Sequence, residues 1–90
     1  MIRILKYPLA NLGVSEIVMP ERAKVRMFRR QRGVPTLWAE VRDDEPRNRM
    51  RKFRVTMTGE KITEPVLEYI GSDMSDSDSF VLHCYELFLS

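Results

Sequence analysis

The sequence predicts a mainly β fold: a small antiparallel sheet, a curled sandwich or an open barrel of about five to seven short strands. In several runs apolar and polar residues alternate, which is typical of strands that bury one face. Glycine and proline residues separate these runs at intervals of about 8 to 15 residues. With 43% hydrophobic and 31% charged residues, a chain of 90 residues can build one modest core. Residues 1–90 are therefore expected to form a single domain.

The first two predicted strands each end at a proline. Residues 2–7 are rich in β-branched and aromatic side chains, and they stop at Pro8, which cannot donate a hydrogen bond to a central strand ladder. Residues 16–19 form a second, shorter extended segment that Pro20 ends. Both segments are predicted as short strands.

Residues 21–32 are compatible with two structures. Most of them are good helix formers, and the proline before them and the glycine after them suit the ends of a helix. However, Ala23, Val25 and Met27 alternate with basic residues, and no capping side chain stands at the start. A strand is expected here, with a short helix over residues 21–32 as the alternative.

The remaining strands follow from the same alternation. Leu37, Ala39 and Val41 share one face, and a similar alternation continues through residues 51–58. The last segment carries large side chains on both faces, which predicts a central strand that pairs with a segment distant in sequence. Strands are accordingly predicted at residues 36–42, 51–58, 66–70 and 80–88.

The charge is distributed unevenly along the chain, although the net charge is only +2. Residues 22–54 contain twelve basic and four acidic side chains, a net charge of +8. Residues 55–90 contain one basic and seven acidic side chains, a net charge of −6. Such a division concerns partners and association more than fold.

No group of residues predicts catalysis, and no cofactor is expected. His83 and Cys84 are neighbours on a predicted strand, so their side chains project to opposite faces and cannot form a thiolate–imidazole pair. Cys84, the only cysteine, is expected to be a small buried hydrophobic residue, and His83 a structural one. The protein is therefore predicted not to be an enzyme.

Metal binding and membrane insertion are not expected either. Asp73, Asp76 and Asp78 could supply oxygen ligands, but the segment lacks the glycine and the distal glutamate of a helix–loop–helix calcium site. A solvated turn is the simpler interpretation. The sequence has no apolar run of about 18 residues and no signal-peptide pattern, which favours a cytoplasmic location.

An arginine-rich hairpin is the strongest candidate for a binding site. If residues 23–32 pair with residues 36–42, basic side chains can line an exposed ribbon that contacts phosphates, and an exposed Phe28 or Trp38 could stack on bases. In the alternative, the arginines cover a thin core and face the acidic half, within the domain or across a dimer. The candidate residues for a partner or nucleic acid are Arg26, Phe28, Arg29, Arg30, Arg32, Arg49, Arg51 and Lys52.

Several segments together match a known family pattern. They are residues 4–9, 19–20, 23–24, 33–41, 53–54, 58–59, 68–71 and 80–83. In this order and spacing they resemble a family of short hypothetical proteins of tailed phages and prophages, known as a domain of unknown function. The resemblance implies a phage or prophage origin and a strand at residues 23–31. This chain departs from the pattern in its additional arginines at residues 26–32 and 47–54.

The predicted function is therefore binding. The leading hypothesis is a non-enzymatic, phage-encoded accessory protein that binds a host protein in the host cytoplasm, as an inhibitor or an anti-defence factor. The alternative is a nucleic-acid-binding module that uses the arginine-rich surface. Two further options stay open: self-association, and capture of a small signalling nucleotide between protomers.

Overall fold

In the computed structural model, which describes residues 1–74 and 79–89, the chain forms two antiparallel sheets. No helix is present in this part of the chain, and neither sheet closes into a barrel. The strands are β1 (Ile2–Pro8), β2 (Gly13–Pro20), β3 (Lys24–Gln31), β4 (Val34–Arg42), β5 (Asn48–Met57), β6 (Val66–Met74) and β7 (Val81–Leu87). Sheet A has the strand order β1-β4-β3, and sheet B has the order β2-β5-β7-β6. The predicted mainly β fold is confirmed.

One apolar face of each sheet contributes to a shared core. In β4 the alternation places Leu37, Ala39 and Val41 inside, and in β5 it places Phe53 and Val55 inside, as predicted. The carboxy-terminal strand β7 is central, between β5 and β6, and it pairs with the sequence-distant β5. The core contains Leu9, Met19, Ala23, Phe28, Leu37, Ala39, Val41, Phe53, Val55, Leu82 and Cys84.

The ambiguous segment forms strand β3, which contains a β-bulge. Val25 pairs with Ala39, but Met27 pairs with Trp38, so Arg26 is an extra residue on this strand. The extra residue shifts the alternation, so the side chains after the bulge point to the opposite face from the one that an unbroken strand would give them. The expectation that Met27 shares the face of Val25 is therefore wrong: Met27 is 40% exposed, whereas Phe28 is 3% exposed and takes the inner position.

The two sheets approach each other most closely along their edge strands β3 and β6. A Cβ atom added to Gly71 on β6 would lie 3.5 Å from the Cβ of Phe28 on β3. Two residues further along each strand, the backbone N–H of Arg30 donates to Asp73 Oδ2 at 2.8 Å. A core contact and a hydrogen bond thus close this side of the sandwich.

The connector of residues 58–65 runs from β5 to β6 over the outer face of sheet B. Arg54 projects outward from β5, and its Nη1 donates to Glu64 Oε2 in the connector at 2.9 Å. The Pro65 carbonyl accepts a hydrogen bond from the Phe88 backbone at 3.0 Å. Part of this outer face is therefore covered by the chain itself.

Candidate functional site

The twelve basic side chains of residues 22–54 do not form one continuous surface, because several form ion pairs within the fold. Three of their acidic partners belong to the acidic half of the chain, so the charge division is partly neutralised inside the domain. The ion pairs are Arg22–Glu45 at 3.4 Å, Arg26–Glu40 at 3.2 Å, Arg51–Glu86 at 2.7 Å, Arg54–Glu64 at 2.9 Å and Arg54–Glu60 at 3.9 Å.

Arg51 lies on the inner face of sheet B, where it forms the most enclosed of these pairs. Its Nε and Nη2 donate to the two carboxylate oxygens of Glu86 at 2.8 and 2.7 Å, and its Nη1 donates to the Ala23 carbonyl at 2.7 Å. The Arg51 and Glu86 side chains are 15% and 8% exposed, and the hydrogen bonds that Arg51 donates to Glu86 raise the pKa of Arg51. Arg51 therefore joins β5, β7 and the turn before β3, and each of its three guanidinium nitrogens donates a hydrogen bond.

Two other predicted site residues belong to the contact between β3 and β6. The expectation that Phe28 is exposed for stacking is wrong, because the bulge turns this ring into the core. The guanidinium of Arg30 lies 5.5 Å from the centroid of the Phe80 ring, and its backbone N–H binds Asp73. Both residues hold the two sheets together.

The remaining predicted site residues lie apart from one another. Arg29 projects from the exposed face of β3, and Arg32 is at the tip of the β3–β4 hairpin. Arg32 and Gly33 both have positive φ, 51° and 82°, as a two-residue type I′ turn requires. Arg49 is exposed and Lys52 half-buried on β5, in the other sheet. The predicted residues are thus divided between two surfaces.

The outer face of sheet A combines apolar and basic side chains around a tryptophan. Trp38 is half-buried, between its cross-strand neighbours Lys6 on β1 and Met27 on β3. Five basic residues project from this face against one carboxylate, that of Glu40, which already binds Arg26. The outer face of sheet A consists of Ile2, Ile4, Lys6, Lys24, Arg26, Met27, Arg29, Gln31, Trp38, Glu40 and Arg42.

This outer face continues into a hollow at the β3–β4 hairpin. The hollow is lined by Lys6, Gln31, Arg32, Val34 and Thr36 with Pro8. Lys6 Nζ donates to the side-chain oxygen of Gln31 at 2.9 Å, which ties β1 to β3 across β4. The sequence interpretation missed Lys6. The alternation of residues 2, 4 and 6 places it on one face of β1, but only the pairing with β4 places it beside Trp38.

His83 belongs to a chain of hydroxyl groups on the outer face of sheet B. Its Nε2 lies 2.8 Å from Thr58 Oγ1, and its Nδ1 lies 2.7 Å from Ser72 Oγ. The Tyr69 hydroxyl in turn lies 2.6 Å from Ser72 Oγ. Both ring nitrogens therefore have hydrogen-bond partners within sheet B and its connector, as expected for a satisfied histidine.

Cys84 is fully buried, and burial raises the pKa of its thiol from 9.0 to about 12. Because the thiolate is the reactive form, we expect this thiol to react with a disulfide reagent at pH 8 far more slowly than in the urea-unfolded chain. Absorbance of the released thiolate measures both rates. Equal rates would contradict this prediction. The raised pKa also means that stability declines as the pH rises from about 9 through about 12.

The acidic segment expected to be a solvated turn lies only in part within the described residues, and Asp73 belongs to strand β6 instead. Asp73 binds the Arg30 backbone, whereas Asp76 and Asp78 lie outside the described residues. Within residues 1–74 and 79–89, no group of three His, Cys, Asp or Glu side chains is placed to hold a metal ion. In the same ranges, no helix is long and apolar enough to cross a membrane.

The fold and its surfaces define a small two-sheet β domain that exposes a basic, tryptophan-centred sheet face. The chain belongs to the family described as domain of unknown function DUF7352, whose model matches residues 1–88. Comparison with curated proteins gives no match, and comparison with solved structures gives none either.

Proposed function

We propose that this protein is a non-enzymatic accessory protein, encoded by a phage or prophage, that acts by binding a host protein in the host cytoplasm. An inhibitor of host machinery or an anti-defence factor would act in this way. The observation that carries the proposal is the outer face of sheet A, a connected surface that mixes apolar and basic side chains.

The residue types on this face are those enriched at protein interfaces. Tryptophan, methionine and arginine are over-represented where partners meet, and tryptophan and arginine dominate the binding energy. Here Trp38 is flanked by Met27 and lies one strand away from the exposed Ile4. Packing a partner over Trp38 would bury all three side chains.

The charge of the face indicates the chemistry of the partner. Five basic side chains accompany one carboxylate, so two copies packed through this face would repel each other. A partner with acidic groups around an apolar centre would be attracted, and its association would be faster at low salt. We therefore propose a host protein with an acidic, partly apolar surface.

Charge reversal at Arg29 tests this proposal. Arg29 is exposed in the second half of β3, so R29E should fold normally and weaken binding to the captured host protein by about thirtyfold or more. K61E, in the exposed connector on the other sheet, makes the same change in sign and should bind normally. The wild type and both variants are immobilised, incubated with nuclease-treated host lysate and compared by titration with the captured protein. No capture by the wild type, or equal capture by R29E and K61E, would refute the proposal.

A second candidate function, single-stranded nucleic-acid binding, is favoured by the position of Lys6. Lys6 lies beside Trp38 and also lines the hollow that contains Arg32, so a basic path leads away from a possible stacking ring. Fluorescence anisotropy with labelled single-stranded RNA and DNA tests it. Binding should weaken steeply between about 50 and 200 mM salt and should be lost in W38A. Absence of binding at low salt would leave the protein partner as the only proposal.

A further inference from the structure

A second exposed surface lies at one end of sheet B and is formed by residues from all four of its strands or their ends. Val18 on β2 pairs with Met50 on β5, and Met50 lines a hollow with Leu67 of β6 and with the residues that follow β7. We call this surface the apolar end. It consists of Val18, Met50, Leu67, Phe88 and Leu89, each between 40% and 55% exposed.

The size of the apolar end is notable for a chain of this length. Five large side chains at these exposures present roughly 400 Å² of apolar surface, within the range of about 300–600 Å² for the largest patch on a typical monomer, which is often functional. A standard protein interface buries about 800 Å² per partner, of which somewhat more than half is apolar. The apolar end and its polar rim therefore match one side of an ordinary dimer interface.

The charges around the apolar end are balanced, unlike those on the outer face of sheet A. Lys52 and its cross-strand partner Glu16 lie next to the pair Val18–Met50 on the same face. Arg49 lines the hollow, as does the Arg51–Glu86 ion pair, and Glu68 on β6 is the cross-strand neighbour of Glu86. The rim thus contributes three basic and three acidic side chains.

A balanced rim suits a second copy of the same surface. In a two-fold arrangement each residue can meet a different residue of the partner copy, so the basic groups of one copy can lie against the acidic groups of the other. A strongly acidic or strongly basic partner would gain no such complementarity. We propose that the apolar end is the interface of a homodimer.

The dimer would leave the outer face of sheet A accessible on both copies. A dimeric binder can engage a multimeric or repeated partner through two sites at once, which raises the apparent affinity without a new contact. This consequence rests on the proposed function. The dimer itself does not, because it depends only on sheet B.

Sedimentation velocity of the full chain from about 1 to 300 μM tests the dimer. The wild type should convert from monomer to dimer within this range, and the dimer should persist at about 500 mM salt because its centre is apolar. L67D should remain monomeric at every concentration. Leu67 is an exposed bulge residue, so the variant should keep the thermal melting curve of the wild-type monomer.

The matched control is I4D. Ile4 is 54% exposed on the outer face of sheet A, so I4D removes a comparable apolar side chain and adds the same charge elsewhere. It should dimerise like the wild type. A wild type that stays monomeric at 300 μM, or equal dissociation by I4D and L67D, would overturn the proposal. L67D should still capture the host protein, and R29E should still dimerise. The dimer and the host-protein proposals can therefore fail independently of each other.

Discussion

Replacing Glu86 with alanine is expected to lower the free energy of unfolding by about 3–5 kcal/mol, a large share of the stability of a domain of this size. The substitution leaves the Arg51 side chain, which is only 15% exposed, without its two hydrogen bonds to the Glu86 carboxylate. Only the hydrogen bond to the Ala23 carbonyl remains. Urea unfolding at pH 7, followed by circular dichroism, measures the loss.

Two variants show whether the loss of stability in E86A comes from leaving a buried charge unpaired or simply from removing an ion pair. E64A removes the nearer acidic partner of Arg54 but leaves Glu60, whose Oε2 lies 3.9 Å from Arg54 Nη2, so it should cost much less than E86A. The double variant R51M/E86L, which removes both charges, should recover most of the stability lost in E86A. If E86A cost no more than E64A, Arg51 would have to be reconsidered as a residue available to a ligand.

The sequence predicted the strands well wherever one alternation runs unbroken. In β4 and β5 the apolar residues occupy every second position, and the structure places those positions inside. The same alternation also assigns Arg51 to the inner face of β5, since it is two residues before Phe53. The sequence alternation thus indicated an inward-facing Arg51. The many basic residues around Arg51 nevertheless favoured its interpretation as part of an exposed binding surface.

Other features depend on contacts that no local pattern reveals. Arg29 and Arg51 both lie in arginine-rich strands, yet one is exposed and the other is enclosed, because only Arg51 meets a glutamate from β7. The bulge at Arg26 arises from the pairing of β3 with β4, so the sequence alternation assigned Met27 and Phe28 to the wrong faces. The basic face of sheet A likewise requires β1 to pair with β4, which places Lys6 beside Trp38.

The second large loss of stability is expected for F28A. It tests the register of β3, because the bulge in this strand determines that Phe28 points inward. F28A should lower the free energy of unfolding by about 3–5 kcal/mol, because Phe28 is 3% exposed and its removal leaves a cavity where β3 meets Gly71 of β6. The size of the cavity depends on how far the two edge strands can close around it. Urea unfolding measured as for E86A gives the value.

M27A is the matched control for F28A, one residue away on the same strand. Met27 is 40% exposed on the outer face of sheet A, so its removal should cost less than about 1 kcal/mol. A strand without the bulge would invert this order, because Met27 would then point inward with Val25 and Phe28 would be free to stack on a ligand. A larger loss in M27A than in F28A would therefore contradict the register of β3 and, with it, the composition of the proposed binding face.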